Sequence, residues 1–220
     1  MQQPHGPYAG YAPPSGPPPY GAQPLYRQNL FVPPGASTSR LLGPGLRKAK
    51  LALGIVQVFC LFVGTALLAT GLALGNRDAG EPMAIAGGVL LGLWYMGLFA
   101  YGIIGMVWTY KFWSWIPPEQ RHTKLWKKYI SPAQAVGFLF LPYFNIYWMF
   151  VVYLGIADIL ERMRVAYPTS KPPAKNVALV RLIVPLVFFP AAPFVDYFFD
   201  KHVEGMAHDM QAQMDGRRAT

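Results

Sequence analysis

The sequence is poor in residues that carry charge, bind metals or form disulfides. Its 220 residues include one cysteine and four histidines, and charged residues make up only 13% of the chain. A single cysteine excludes an intrachain disulfide scaffold, and an average soluble domain is about 25% charged. Hydrophobic residues reach 53%, which excludes a uniformly disordered chain. The composition therefore indicates a membrane protein rather than a compact soluble enzyme.

The first 45 residues differ in composition from the rest. They hold 11 of the 22 prolines and no aspartate or glutamate. Proline removes backbone donors and glycine raises the entropy cost of ordering, so we expect residues 1–45 to be a disordered cytoplasmic tail with polyproline II character.

The tail contains a Pro-Pro-x-Tyr pattern, which is typical of ligands for aromatic-lined grooves. Its residues are Pro17, Pro18, Pro19 and Tyr20. The pattern predicts a protein partner for the tail, with a solvated spacer as the alternative.

Four apolar segments follow, and they predict an all-α, polytopic membrane helical bundle of about four spans. The first three contain uncharged runs of 24, 28 and 26 residues, and about 20 apolar residues suffice to cross the hydrocarbon core. In the fourth, the uncharged stretch between Arg181 and Asp196 has only 14 residues, so a re-entrant or interfacial segment is the alternative there. The membrane domain is predicted over residues 46–200, with spans at about 51–75, 83–110, 133–158 and 177–199, and a short polar C-terminal tail over 201–220.

The third predicted span has a proline and an asparagine near its middle. Pro142 removes a backbone donor and crowds the carbonyl four residues earlier, and Asn145 places an amide at membrane depth. We favour a kinked helix whose asparagine bonds to a neighbouring helix. A re-entrant hairpin that lines a cavity is the alternative.

Three ionisable residues near the span ends are candidates for a functional role, because charges are costly inside a membrane. Asp158 ends the third span and Arg181 begins the fourth, so we expect them at one membrane face, where they could pair. Asp196 is expected at the opposite face, beside Lys50 and the basic second loop. Anchoring at the headgroups is favoured over an ion pathway.

The second span carries a ladder of small residues at Ala84, Gly88 and Gly92. Small residues at this spacing let helix backbones approach closely. We expect this ladder to pack the bundle, with homo-oligomer contact as the alternative.

The basic residues set the expected orientation. With four spans and a cytoplasmic N-terminus, 13 of the 19 Lys and Arg residues lie inside, which agrees with the positive-inside rule, but the third loop then places five basic residues outside. A re-entrant third segment would put 15 inside and 4 outside, so charge favours the re-entrant alternative whereas segment length favours four spans. The net charge of +9 then indicates contact with anionic lipid headgroups. Nucleic acid is not an expected partner, because no nucleic-acid-binding module is recognisable.

Residue patterns for catalysis or cofactor binding are scarce. His202 and His208 are six positions apart, which does not fit the i, i+4 pair of a zinc helix. The sequence also has no Gly-rich phosphate loop and no Ser-His-Asp pattern. We therefore predict no catalytic residue, no metal and no cofactor, and expect that the protein is not an enzyme.

One stretch resembles a known group of proteins. Residues 131–148 read Ser-Pro-Ala-Gln-Ala-Val-Gly-Phe-Leu-Phe-Leu-Pro-Tyr-Phe-Asn-Ile-Tyr-Trp. They resemble a motif of uncharacterised bacterial multi-pass integral membrane proteins, some of which carry a proline-rich N-terminal region. The resemblance covers about residues 105–162 and implies a bacterial inner-membrane protein with no known activity. Its distinctive positions are Pro142, Asn145, Trp148 and Asp158.

Together these patterns predict an integral membrane interaction or scaffold protein whose helical bundle anchors the proline-rich tail. The alternative is a small oligomeric channel or transporter subunit that uses the broken third and fourth helices. Broken helices at membrane depth line substrate sites in many transporters.

Overall fold

A computed structural model of the protein describes residues 43–75 and 78–218. This part of the chain contains six α-helices: α1 (Pro44–Leu74), α2 (Gly80–Trp115), α3 (Pro132–Gly137), α4 (Phe144–Arg164), α5 (Lys175–Val187) and α6 (Ala192–Arg218). Three of them, α1, α2 and α4, are long and apolar enough to cross a membrane. The all-helical prediction agrees with these elements, whereas the described residues offer three candidate spans rather than four.

The first two predicted spans correspond to α1 and α2. Helix α1 begins at Pro44 rather than at residue 51, and proline fits the first helical turn because the donor it lacks has no partner there. Gly75, with a φ of 62°, ends α1 in the left-handed conformation that glycine adopts at little cost. The chain then returns along α2.

Helices α1 and α2 form an antiparallel hairpin held by close backbone contact. A Cβ added at Gly71 would lie 2.4 Å from the backbone nitrogen of Ala84, and one added at Gly87 would lie 2.4 Å from that of Leu68. Small residues are therefore required along this seam.

The third predicted span, 133–158, is a hairpin rather than one kinked helix, so the favoured interpretation of this segment is wrong. Helix α3 leads up to a chain reversal, and α4 runs back beside it. Trp148 Nε1 donates a hydrogen bond of 3.0 Å to the Ala135 carbonyl. In a continuous helix these two residues would lie about 20 Å apart.

The reversal occurs at Pro142 and Tyr143. Pro142 cannot donate a helical hydrogen bond, and Tyr143 adopts a φ of 61° with a side chain that is 93% exposed. Asn145 consequently lies in the first turn of α4 instead of in the middle of a helix.

The fourth predicted span, 177–199, is also a hairpin and not one kinked helix. Helix α5 is followed by a short 3-10 turn, Phe189–Ala191, after which α6 runs back. Arg181 Nε lies 2.8 Å from Asp196 Oδ1, whereas a continuous helix would separate the two residues by about 22 Å. The chain reversal agrees with the alternative for this segment, a re-entrant or interfacial segment.

The described part of the predicted short polar tail, residues 201–218, is not a tail, because it continues α6 through Arg218. One face of this helix is apolar and buried, and its members are Val203, Met206, Ala207, Met210 and Met214. The charged residues between them lie mostly on the other face, which is why the segment reads as polar in sequence.

Helices α2 and α6 run parallel in a constant register. Three hydrogen bonds join them, and the partners are 95 or 96 positions apart in every case. The bonds are Tyr101 to Asp196, Trp108 to Glu204 and Trp115 to Gln211, each 2.8 Å long. The main hydrophobic core lies at the C-terminal end of α2, around the buried Trp113, Trp148 and Phe199.

Candidate functional site

Six charged side chains from α1, α5 and α6 form a group that we call the ion-pair cluster. Its members are Arg47, Lys50, Arg181, Asp196, Asp200 and Glu204. At its centre, Lys50 Nζ lies 2.8 Å from Asp196 Oδ2 and 3.1 Å from Asp200 Oδ2. The three cations balance the three anions, so the cluster is neutral as a whole.

Helical spacing brings these charges together. Asp196, Asp200 and Glu204 are four positions apart in sequence, which places them on one face of α6. Arg47 and Lys50 are three positions apart and share a face of α1. Because α1 runs antiparallel to α6, the two basic residues meet the acidic face in reverse order.

The centre of the cluster is deeply buried, with Lys50 3% and Asp200 0% exposed. Removing such charges from water costs several kcal/mol per ion unless each finds a partner. Tyr101 satisfies part of this need by donating a hydrogen bond of 2.8 Å to Asp196. Arg181 lies with its guanidinium carbon 3.6 Å from the centroid of the Tyr153 ring, a cation–π contact that is strong when desolvated.

Glu204 forms the outer end of the cluster. It pairs with Arg47 and accepts a hydrogen bond of 2.8 Å from Trp108 Nε1. Burial raises the pKa of Glu204 above its ordinary value, although the contacts with Trp108 and Arg47 oppose that rise. These two partners therefore favour the ionised form of Glu204 in surroundings that disfavour it.

A cavity of about 320 Å³ lies beside the cluster, between α1, α2, α4, α5 and α6. Its polar wall comes from Lys50, Tyr101, Asn145, Tyr153, Arg181 and Asp196. The structure thus brings together three of the residues predicted from sequence, Asn145, Arg181 and Asp196. The volume is at the lower end of the range for small-molecule sites, about 300–1,000 Å³.

Asp158 lies apart from this cavity and lines a second one of about 560 Å³ with Lys124. Its carboxylate is 2.9 Å from Lys124 Nζ and 3.4 Å from Arg162 Nη1. The expected pairing of Asp158 with Arg181 is therefore wrong, because Arg181 turns to Asp196 within the α5–α6 hairpin.

The position of Asp196 was predicted in part. It lies beside Lys50, as expected. However, it does not lie at the membrane face opposite to Arg181, because the chain reversal after α5 returns Asp196 to the level of Arg181.

Only one residue of the predicted small-residue ladder lies in the α1–α2 seam. Ala84 contacts Gly71, whereas a Cβ at Gly88 or Gly92 would meet no atom within 4 Å. The seam passes instead through Gly87, where an added Cβ would meet backbone. The predicted ladder therefore follows a face of α2 that lies next to the face in contact with α1.

Sequence reasoning missed Asp200 and Glu204 as partners of Arg47 and Lys50. The available signal was the i, i+4, i+8 spacing of acidic residues on α6, which marks one continuous acidic face. Within residues 43–75 and 78–218, no group of three or more His, Cys, Asp or Glu side chains could hold a metal ion. The predicted ligand pattern from Pro17 to Tyr20 lies outside the described residues.

No protein-family model, curated protein or solved structure matches this chain.

Proposed function

We propose that this protein is an integral membrane scaffold whose helical domain anchors a partner-binding, proline-rich N-terminal segment. The observation that carries the proposal is the attachment of the start of α1 to α6. Arg47 pairs with Glu204, and Lys50 pairs with Asp196 and Asp200, directly after the proline-rich segment ends. This segment is thereby joined to a fixed point on the folded domain.

The chemistry of residues 1–45 supports the recruitment of a partner. Polyproline II segments bind at low entropic cost because they are already extended. The residues proposed to bind are Pro17, Pro18, Pro19 and Tyr20. A domain with an aromatic-lined groove is the expected class of partner.

No enzymatic activity is proposed. The described charged side chains of the cluster neutralise one another, and we assign none of them to a nucleophile or a general base. The proposed location is a bacterial inner membrane, following the resemblance of residues 131–148. The proposed orientation has a cytoplasmic N-terminus, where basic residues meet anionic headgroups.

The scaffold proposal predicts that Tyr20→Ala abolishes partner capture. Full-length protein and variants would be crosslinked in native membranes and the captured proteins quantified by mass spectrometry. Tyr11→Ala is the matched control, because Tyr11 lies in the same segment but follows no proline pair. We expect a groove-containing partner to be lost with Tyr20→Ala and with deletion of residues 1–42, and retained with Tyr11→Ala. Identical partners in all four proteins would refute the proposal.

A second candidate function, a channel or transporter subunit, is favoured by the 320 Å³ cavity and its polar wall. Asn145 lines this cavity, whereas its neighbour Ile146 does not. Transport through it predicts that Asn145→Leu reduces ion or solute flux in reconstituted vesicles, while Ile146→Leu leaves flux at the wild-type rate. Equal flux for wild type and Asn145→Leu would exclude this use of the cavity.

Such a pathway requires several copies of the chain, and the open face at Gly88 and Gly92 is the proposed contact.

A further inference from the structure

The exposed apolar side chains of α5 and α6 end at one common level, set by the contact of Arg181 with Asp196, and those of α4 end before Tyr153, which meets Phe199 at that level. The last large one on α6 is Phe198, the first on α5 is Val180, and the last within α4 is Tyr147. The hydrogen-bond register between α2 and α6 places this level near Ile103 of α2. We call it the boundary level.

The surface differs on the two sides of the boundary level. On one side lie the two chain reversals, where Tyr143 is 93% and Val187 82% exposed. This surface continues into the exposed apolar faces of α1 and α2. On the other side, the exposed residues of α6 are polar or small, as at Lys201, His208 and Ala212.

The α5–α6 hairpin is too short to cross a bilayer from the boundary level. From Val180 to Val187 a helix advances only about 10 Å, against a hydrocarbon core of about 30 Å. At the tip, Phe189 meets Trp94 of α2 with ring centroids 6.5 Å apart. Helix α2 extends 14 residues beyond Trp94, to Gly80, which is about 21 Å farther.

Helices α1 and α2 are long enough to cross the hydrocarbon core. The uncharged run of α1 from residue 51 to residue 74 has 24 residues and spans about 36 Å. Helix α4 meets the length criterion too, but most of its apolar residues beyond Tyr147 lie in the core, including Val151, Ile156 and Leu160. Its outward apolar surface is confined to its first turns.

We infer that α1 and α2 are the described helices that cross the membrane, and that the α3–α4 and α5–α6 hairpins insert their tips into a single leaflet. The partner of the exposed tip residues is the acyl-chain region of the leaflet on the side of the N-terminus. Continuity with the apolar faces of α1 and α2 identifies lipid as the occupant. This inference concerns the seating of the domain and is independent of the partner of the proline-rich segment.

The distribution of basic residues supports this seating. With only α1 and α2 crossing, 18 of the 19 Lys and Arg residues lie on one side, and Arg77 alone lies on the other. The four-span arrangement divides them 13 to 6. The positive-inside rule therefore favours two crossings. The five basic residues from Arg162 to Arg181 then lie on the same side as the N-terminus instead of on the opposite side.

Sidedness distinguishes the two arrangements. Asp78→Cys and Ser170→Cys, both exposed positions, would be introduced separately into the full chain carrying Cys60→Ala and labelled with a membrane-impermeant maleimide in sealed, oriented vesicles. We expect the two positions to label from opposite sides of the membrane. Four crossings place them on the same side, so labelling from the same side would overturn the inference.

A second experiment tests how deeply the tip of the α5–α6 hairpin lies in the membrane. An environment-sensitive fluorophore on Val187→Cys, in the reconstituted full chain with Cys60→Ala, should be quenched by nitroxide-labelled lipids and protected from aqueous iodide. Lys175→Cys, exposed at the other end of α5, is the matched control and should show the reverse. Quenching of the Val187 probe by iodide, or by neither agent, would show that lipid does not cover the tip and would overturn the inference.

Discussion

Gly87→Ala is expected to destabilise the protein by about 1–3 kcal/mol, as overpacking of a close contact typically does. The added Cβ would lie 2.4 Å from the backbone nitrogen of Leu68 and 2.7 Å from the carbonyl oxygen of Gly64. Backbone atoms cannot rotate away as a side chain can, so α1 and α2 must separate. Thermal unfolding in detergent would report this as a lower Tm, by about 2–4 °C for each kcal/mol in a chain of this size.

The adjacent residue supplies the matched control. At Gly88 an added Cβ meets no atom within 4 Å, so Gly88→Ala should unfold at the same temperature or slightly higher. Alanine favours a helix over glycine by up to about 1 kcal/mol. If both variants shifted Tm equally and in the same direction, the seam between α1 and α2 would not pass through Gly87.

Lys50→Met is expected to cost about 3–5 kcal/mol, because it leaves Arg181 alone to balance two buried carboxylates. Lys50 contacts both Asp196 and Asp200, and Asp200 is fully buried. Lys48→Met, two positions away on the exposed surface of α1, should change stability by no more than about 0.5 kcal/mol. Chemical or thermal unfolding of the two variants in the same detergent measures the difference.

A double variant separates charge from packing. Lys50→Met combined with Asp200→Asn removes one cation and one anion, and replacement of both members of a buried pair is often nearly neutral. We expect the double variant to recover much of the stability lost in Lys50→Met. A double variant that is no more stable than the single one would show that the lysine stem, rather than its charge, is what the fold requires.

The first two helices of the fold could be predicted from the sequence, because α1 and α2 carry uncharged runs longer than a bilayer requires. The start of the helical domain near residue 45 also follows from composition, and α1 begins at Pro44. Both features depend on local chain chemistry alone.

The sequence predicted re-entrant segments only as the alternatives to the third and fourth spans, because hydropathy does not show whether an apolar run crosses the membrane or turns back. An uncharged run of 26 residues has the same hydropathy whether it crosses once or turns back halfway. The reversal depends on Tyr143 adopting a φ of 61°, which nothing in its residue type demands. For the second hairpin a length signal did exist, since the 14 residues between Arg181 and Asp196 are too few for a span.

The candidate site depends on these reversals. The sequence therefore predicted some of its residues, but it did not predict most of the contacts between them. Arg181 and Asp196 stand out as charges within an apolar segment. Their contact exists only because the chain turns after α5, so a straight helix predicts them at opposite faces. The choice of Gly88 over Gly87 has a similar origin, since one helix alone does not reveal which of its small-residue faces meets a neighbour.

The constant register between α2 and α6 limits how the domain can move. Three hydrogen bonds, 95 or 96 positions apart, hold the two helices along about four helical turns. Sliding α6 by a single turn along α2 would break all three at once and pull Lys50 away from both of its carboxylates. Any motion that widens the cavity therefore has to pivot the shorter hairpin arms, α5 or the start of α4, against a fixed frame. This frame consists of α1, α2 and α6, which the hydrogen bonds and the ion pairs of Arg47 and Lys50 hold together as one unit.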